Sequence, residues 1–199
     1  SEKLISLNHN VIVLDNLING NKKNLENIID NKKFKLSVCD IRDKKKIEKE
    51  FNKIDIVFHL AALADIVPSI ENPDDYYSTN VTGTFNVLDL SKKYNVNKVI
   101  YAASSSCYGI AKEIPTSENA SIQPQYPYAL TKYLGEELIK HWGIVYNLNY
   151  VSLRFFNVFG PRSRTSGSYG AVFGVFLAQK LANLPFTVVG DGNQKRDFT

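Results

Sequence analysis

The sequence is poor in the residues that mark secreted, metal-binding or membrane proteins. Its two cysteines, Cys39 and Cys107, are too few for a disulfide scaffold and favour a reducing compartment. Its three histidines show no ligand-like spacing, so we expect no metal site. No stretch approaches the ~20 apolar residues of a membrane span, and no signal peptide is visible. These absences predict a cytoplasmic protein without a membrane partner.

Glycine is scarce near the start, where the first one is Gly20. Residues 1–8 are typical of the last turns of an amphipathic helix, and the apolar strand 10–14 follows at once. A doubly wound domain has a strand and a glycine-rich turn before such a helix, because dinucleotide phosphates dock at the helix N-terminus. No Gly-x-x-Gly-x-x-Gly occurs here. We therefore expect an N-terminal truncation of roughly twenty residues.

Basic residues outnumber acidic ones, giving a formal net charge of +4. The excess lies in lysine runs at residues 22–23, 32–35 and 44–46, which are typical of solvated loops and helix faces. We therefore expect no nucleic-acid partner. With 44% hydrophobic residues, the chain of 199 has enough apolar material for one sizeable core.

A hydroxyl, a phenol and a lysine amine follow one another along the chain, in an order that suits proton transfer. The apolar run 99–103 opens into Ser104, which predicts a buried parallel strand that delivers this hydroxyl to a crevice. Pro127 suits a first helical turn, and Tyr128 and Lys132 then share one helix face. A nearby ammonium would lower the phenol pKa from about 10. The pattern predicts Tyr128 as general base, Lys132 as its electrostatic partner and Ser104 as an orienting hydroxyl.

An acidic residue, Asp15, closes the strand that begins at Val11. A carboxylate at this point of a dinucleotide site binds ribose hydroxyls and disfavours a 2′-phosphate, so it favours NAD over NADP. The alternative role is a helix or turn cap. Asp40 follows the next predicted strand, 34–38, and is a candidate N-cap for a lysine-rich helix over 44–51.

Three motifs together resemble one family. They are the Ser-Ser-Ser-x-Tyr-Gly run from Ser104, the Tyr128-x-x-x-Lys132 pair, and the Arg-Phe-Phe-Asn-Val-Phe-Gly-Pro run 154–161. They resemble the extended short-chain dehydrogenases/reductases, specifically nucleotide-sugar 4-epimerases of the NAD-dependent epimerase/dehydratase family. The resemblance covers essentially the whole chain. It implies an α/β fold with a doubly wound parallel sheet, the NAD-binding Rossmann fold, in which the first strand and the glycine-rich loop are missing.

The same resemblance divides the chain and assigns its site residues. Residues 1–156 are expected to form the NAD-binding domain, incomplete at its N-terminus, and residues 157–199 the start of a smaller substrate-binding region, incomplete at its C-terminus. The family pattern implies catalytic roles for Ser104, Tyr128 and Lys132. The implied NAD contacts are Asp15, Asn16, Asp40, Ile41, Leu60, Ala61, Ala62, Asn80, Tyr128 and Lys132. The implied substrate contacts are Ser104, Ser105, Ser106, Asn157 and Arg196, with Asp65 and Ser69 of the loop 64–70 as further candidates.

The resemblance implies a reaction at C4 of a UDP-linked hexose. The Tyr128 phenolate would take the C4 hydroxyl proton while hydride passes to NAD and then returns to the opposite face of the sugar. Ser105 and Ser106 stand where dehydratases and decarboxylases carry carboxyl groups, so elimination is disfavoured. The serine run most resembles epimerases of UDP-N-acetylhexosamines or their uronic acids.

Other functions remain open at this point. One is another NAD-dependent nucleotide-sugar enzyme: a decarboxylase, a dehydratase or a reductase. A second is a non-catalytic dinucleotide-sensing protein on the same fold, although Tyr128 and Lys132 argue against it. A third is an inactive fragment that binds NAD weakly or not at all. The resemblance also implies a homodimer built on two helices near Asn80 and Tyr133.

Overall fold

The computed structural model describes residues 1–162, 172–188, 190–193, 195 and 198–199. Strands and helices alternate along most of this part of the chain. The strands are β1 (Val11–Asp15), β2 (Phe34–Val38), β3 (Ile56–His59), β4 (Lys98–Ser104) and β5 (Tyr150–Phe155). The helices are α1 (Glu2–Ser6), α2 (Lys44–Glu48), α3 (Ile66–Glu71), α4 (Pro73–Tyr77), α5 (Thr84–Lys93), α6 (Pro127–Tyr146) and α7 (Val172–Leu181).

Every strand pairing in the described residues is parallel, as the sequence predicts for an α/β fold. The strands form two sheets, one of order β1-β2 and one of order β3-β4-β5. The predicted single sheet is therefore divided between β1 and β3. No described strand forms hydrogen bonds with the second edge of β1 or with that of β3, so the two sheets are not joined by a β-ladder.

The β2 side is joined to the larger sheet through α5. The Asn86 side chain donates to the backbone carbonyls of Ile41 and Arg42, at 3.0 and 3.1 Å. A Cβ on Gly83 would lie 2.5 Å from Cδ1 of Ile41, so only glycine permits this approach. The Ile41 side chain is buried in a core that extends through Leu88 and Leu90 to Val99 of β4.

The sequence of residues 76–94 predicts one long helix, and the observed helical segment is longer and less regular than that. It begins at Pro73, whose fixed φ suits a first turn, and it ends at Lys93. Between α4 and α5, residues Ser78–Gly83 form a π-helical turn. Such wide turns are frequent at functional sites, and this one carries Asn80, the residue that faces the loop after β3.

Three local predictions are wrong. Asp43, not Asp40, caps α2, because its side chain accepts from the Lys46 backbone N–H. Residues 66–71 of the predicted loop form α3, and Ser69 is fully buried with its hydroxyl donated to the Ile66 carbonyl at 2.6 Å. The sequence of residues 186–189 also predicts a strand, but residues 186–188 are not in one; residue 189 lies outside the described residues.

The last elements contact the end of β5. Asn157 forms a parallel bridge with Phe198, and the rings of Phe159 and Phe173 pack in a tilted arrangement at 5.0 Å between centroids. The division of the chain at residue 157 stays a prediction. In the described part of the chain, every helix is too short or too polar to cross a membrane.

Candidate active site

Ser104, Ser106 and Tyr128 form one hydrogen-bonded cluster at the carboxyl end of β4. Ser104 is the last residue of the strand and caps the 3-10 turn Ser105–Tyr108 by accepting from the Ser106 N–H at 3.2 Å. Its hydroxyl lies 2.7 Å from that of Ser106 and accepts from the Tyr128 phenol at 3.2 Å. The predicted neighbours Ser104 and Tyr128 are thus brought together from positions 24 residues apart. A hydroxyl chain of this kind is able to carry a proton away from a reacting oxygen.

Lys132 lies one turn beyond Tyr128 on α6 and is almost completely enclosed. It is 5% exposed, and its Nζ lies 4.4 Å from the centroid of the Tyr101 ring. Burial lowers the pKa of Lys132 to about 7, because the charged form loses its hydration. The amine is therefore poised to gain or lose a proton near neutral pH.

The electrostatic prediction for Tyr128 is wrong for this structure. Burial raises the pKa of Tyr128 and the charge of Asp65 adds to that, while hydrogen bonds with Ser104 and Ser106 act in the opposite direction. The phenol is consequently protonated at neutral pH. The physical reason is that burial removes the hydration of the phenolate, and Lys132 adds no opposing stabilisation.

Two further tyrosines enclose Tyr128, and the sequence argument missed both. The Tyr126 ring stacks on Tyr128 at 6.4 Å between centroids, and the Tyr76 ring meets it edge-on at 6.5 Å. The Tyr76 hydroxyl also accepts from the Asp65 backbone N–H at 3.1 Å. Tyr126 could have been found from the Tyr-Pro-Tyr run 126–128. Tyr76 lies 52 positions from Tyr128 in the sequence, and no motif connects the two residues.

Asn80 holds the loop that follows β3. Its amide accepts from the Leu63 N–H at 2.9 Å and donates to the Leu63 carbonyl at 3.0 Å, as well as to the Thr131 hydroxyl at 3.0 Å. The side chain is only 1% exposed. Asn80 therefore ties the crevice loop to the catalytic helix, and its amide groups are engaged within the protein.

Asp15, Asn16 and Asp40 lie together at the carboxyl ends of β1 and β2. Asp15 accepts from the Leu17 N–H at 2.7 Å, and Asn16 donates to Asp40 at 2.9 Å. Hydrogen bonds from Arg42 lower the pKa of Asp40 to about 2, although partial burial opposes this. The edge therefore carries a permanently ionised carboxylate at neutral pH.

The residues predicted to lie against the cofactor after β2 and β3 differ in exposure. Ile41 is 7% exposed and packs in the core, whereas Leu60 is 65% exposed directly after β3. Ala61 and Ala62 are half-buried beside it. The side chains that follow β3 are thus small or accessible, as a closely approaching ligand requires. The Ile41 side chain is buried, so mainly its backbone is available to a ligand.

A buried ion pair that sequence reasoning also missed supports the serine turn. Arg154 of β5 donates to both carboxylate oxygens of Glu136, at 2.6 to 3.2 Å, and to the Tyr108 hydroxyl at 2.9 Å. Glu136 belongs to α6 and is 3% exposed. The network joins α6, β5 and the end of the turn that contains Ser105, which is itself half-buried.

The two remaining predicted substrate contacts lie beyond β5. Asn157 follows the strand and is exposed, and its backbone carbonyl accepts from the Thr199 N–H at 3.0 Å. Arg196 lies outside the described residues. In the described ranges, no group of three or more His, Cys, Asp or Glu side chains is placed to hold a metal ion.

The described residues fit NAD at the adenosine side of the crevice. A Cβ on Gly20 would lie 2.8 Å from an Asp15 carboxylate oxygen, so glycine leaves that carboxylate room. Carboxylate oxygens accept hydrogen bonds from ribose hydroxyls, and the negative charge of Asp15 opposes a 2′-phosphate, whereas Asp40 is paired with Arg42. The donor set therefore suits NAD better than NADP.

Comparison with known proteins agrees with this geometry. The family model described as the NAD dependent epimerase/dehydratase family matches residues 1–199. A curated relative, a putative UDP-glucose 4-epimerase of Methanocaldococcus jannaschii, is 41% identical over 199 residues, covering 99% of this chain and 63% of its own length.

Solved structures are similar as well. The UDP-N-acetylglucosamine 4-epimerase of Methanobrevibacter ruminantium, in complex with UDP-N-acetylmuramic acid, superposes with a TM-score of 0.91 at 36% identity, covering 96% of this chain and 61% of that one. The UDP-glucose 4-epimerase of Thermotoga maritima, with UDP-glucose, gives a TM-score of 0.92 at 33% identity, covering 99% and 63%. The chain thus spans less than two thirds of each of these proteins. It belongs to the NAD-dependent epimerase/dehydratase family.

Proposed function

We propose that the protein is an NAD-dependent nucleotide-sugar 4-epimerase acting on C4 of a UDP-hexose. The observation that carries the proposal is the chain of hydroxyls from Tyr128 through Ser104 to Ser106, with the buried Lys132 one turn beyond Tyr128 on the same helix. The Tyr128 phenol lies on a helix beside a parallel strand end, which supports the proposal because dinucleotides bind at the carboxyl ends of such strands. The similarity to several 4-epimerases supports the same reaction.

Each side chain has a distinct role in this proposal. Tyr128 removes the proton from the C4 hydroxyl and later returns one. Ser104 orients the phenol and passes the proton toward Ser106. Lys132 stabilises the phenolate when it forms, because a cation in an enclosed site acts strongly on a neighbouring charge. NAD, when bound, supplies the hydride acceptor and donor for C4.

Proton removal at neutral pH requires the phenol pKa to fall from its raised value. Burial raises the pKa of the Tyr128 phenol, and the pKa of Lys132, one turn further along the same helix, is about 7. We infer that the base becomes active only when positive charge enters the crevice with the cofactor, since a cation near a phenol favours its ionised form. Proton removal is in this way confined to the loaded enzyme.

The residues beside Ser104 favour epimerisation over elimination or decarboxylation. Those reactions need a further acid or base near the sugar, and the positions in question hold Ser105 and Ser106. Neither hydroxyl is an effective acid or base near neutral pH. Among UDP-hexoses we propose UDP-N-acetylhexosamines, UDP-glucose and their uronic acids as the substrates to test.

The test uses the enzyme expressed from its complete reading frame. It is incubated separately with UDP-N-acetylglucosamine, UDP-glucose and UDP-glucuronate, and the anomeric proton signals are followed by NMR. A new C4-epimer signal supports the proposal. A 4-keto-6-deoxy product would establish a dehydratase, and a pentose product a decarboxylase. An unchanged spectrum with every sugar, despite bound NAD, would favour a dinucleotide-sensing protein.

We also propose that the protein is a cytoplasmic homodimer. Both cysteines are buried as free thiols, which suits a reducing compartment. Phe85 of α5 and Tyr146 of α6 pack on Trp142 and yet remain 41% and 42% exposed. This aromatic surface suits a second copy. In sedimentation experiments Phe85→Lys is expected to produce monomers, and an unchanged dimer would contradict the proposed interface.

A further inference from the structure

Lys132 is held by one residue of the neighbouring strand at two points. The Tyr101 ring lies under its ammonium, with 4.4 Å from Nζ to the ring centroid. The Tyr101 hydroxyl donates to the backbone carbonyl of Lys132 at 3.1 Å. One side chain thus contacts both the charged end and the main chain of the same lysine.

The surroundings of Tyr101 fix its position. Tyr101 is 1% exposed in the middle of β4. A Cβ on Gly135 would lie 2.2 Å from the Tyr101 hydroxyl, so glycine in α6 leaves the space that the phenol occupies. On the other side the His59 ring lies 5.5 Å from the Tyr101 ring, between centroids. These neighbours therefore hold the Tyr101 ring in one position.

In the part of the chain that the structure describes, no carboxylate forms an ion pair with the Lys132 ammonium. His59 is buried and bonds to the Thr84 hydroxyl at 2.8 Å, and burial lowers its pKa to about 3, so it is neutral near pH 7. The electron-rich face of an aromatic ring attracts a cation, most strongly where water is excluded. In this enclosed site the ring replaces a counter-ion.

We propose that Tyr101 is the positioning residue for Lys132, with its ring supporting the ammonium and its hydroxyl anchoring the lysine backbone. A carboxylate in the same place would bind the ammonium as an ion pair and reduce its effect on Tyr128. The uncharged ring keeps the positive charge available. The part of the proposal that concerns catalysis rests on the proposed 4-epimerase function.

The test separates the ring from the hydroxyl with two variants of the full-length enzyme, assayed with UDP-glucose. Tyr101→Phe keeps the ring, and kcat is expected to stay within about twofold of wild type. Tyr101→Leu removes the ring, and kcat is expected to fall about tenfold with KM nearly unchanged, the size of a desolvated cation–π contact. Equal kcat in Tyr101→Leu and wild type, or an equal loss in both variants, would overturn the role of the ring.

A control and a second measurement distinguish this result from simple loss of stability. Val99 is fully buried on the same strand, and Val99→Ala is expected to lower the unfolding temperature while kcat below that temperature is retained. In protein labelled with ¹³C-lysine, the ring current should shift the Lys132 Hε signals upfield in wild type and Tyr101→Phe only. An unchanged Lys132 shift in Tyr101→Leu would overturn the contact even if the wild type proved inactive on every sugar.

Discussion

Replacing Lys132 by methionine should make the stability of the NAD-free protein depend on pH in a different way. The pKa of Lys132 falls from 10.5 to about 7 through burial. Between these values the unfolded chain binds more protons than the folded one, so wild-type stability rises with pH across this window. The burial penalty is fully present below pH 7 and is lost above pH 10.5. Methionine fills a similar volume without a charge and removes this dependence.

The expected size follows from the same shift. At about 1.4 kcal/mol for each pH unit, the full fall of the Lys132 pKa corresponds to about 5 kcal/mol. Between pH 7.5 and 9.5, the free energy of unfolding of wild type should rise by about 3 kcal/mol relative to Lys132→Met. Neighbouring groups titrate outside this range: the pKa of His59 is about 3, and burial raises those of Tyr101 and Tyr128.

Urea unfolding at the two pH values measures the difference directly. Lys140→Met, on the same helix, is the matched control. Burial acts to lower the pKa of Lys140, but hydrogen bonds with Glu136 and Glu137 raise it overall, so this lysine titrates above the range. A stability gap between wild type and Lys132→Met that is equal at pH 7.5 and 9.5 would refute the account of a desolvated amine.

Three further substitutions test residues that hold the candidate active site in place. Gly135→Ala should destabilise the protein by about 1–3 kcal/mol in urea unfolding, because the new Cβ would meet the Tyr101 hydroxyl, even though alanine favours helix by about 1 kcal/mol. Glu136→Gln should cost about 3–5 kcal/mol, measured in the same way, because it leaves the Arg154 guanidinium without its buried counter-charge. Asn80→Ala should weaken NAD binding about tenfold in a fluorescence titration, because the loop at Leu63 loses two hydrogen bonds.

The first two of these have a control variant on the same chain. Gly160→Ala introduces a Cβ with nothing within 4 Å and should be neutral. Glu137, 46% exposed at its side chain, pairs with the same Lys140 on the surface, so Glu137→Gln should change stability by less than about 1 kcal/mol. Stability losses as large as those of the buried variants would show that burial is not the cause. Unchanged NAD affinity in Asn80→Ala would show that the loop does not contribute to the cofactor site.

Local patterns predicted the strands of the sheets and the side chains of the candidate site, because those signals lie within a few residues. The apolar run before Ser104 and the four-residue spacing of Tyr128 and Lys132 depend only on strand and helix geometry. The parallel pairing and the contact between Ser104 and Tyr128 followed from that geometry.

Features set by tertiary packing could not be predicted from local sequence patterns. The raised pKa of Tyr128 depends on how completely neighbouring rings exclude water. Asp43 and Asp40 are equally plausible caps by residue type, and only the backbone path decides between them. Ser69 is buried by a helix where the sequence indicated a loop. In each case the deciding contact joins residues that no short motif connects.

The most direct test of the proposed chemistry compares Tyr128→Phe with Tyr133→Phe in the full-length enzyme. Tyr133 lies on the same helix, is only half-buried, and has no part in the hydroxyl cluster described above. With UDP-glucose followed by NMR, the account predicts that Tyr128→Phe lowers the rate of C4 epimerisation at least a hundredfold, the lower range for a positioned general base, while Tyr133→Phe keeps the wild-type rate. Wild-type turnover by Tyr128→Phe would contradict its role as the base.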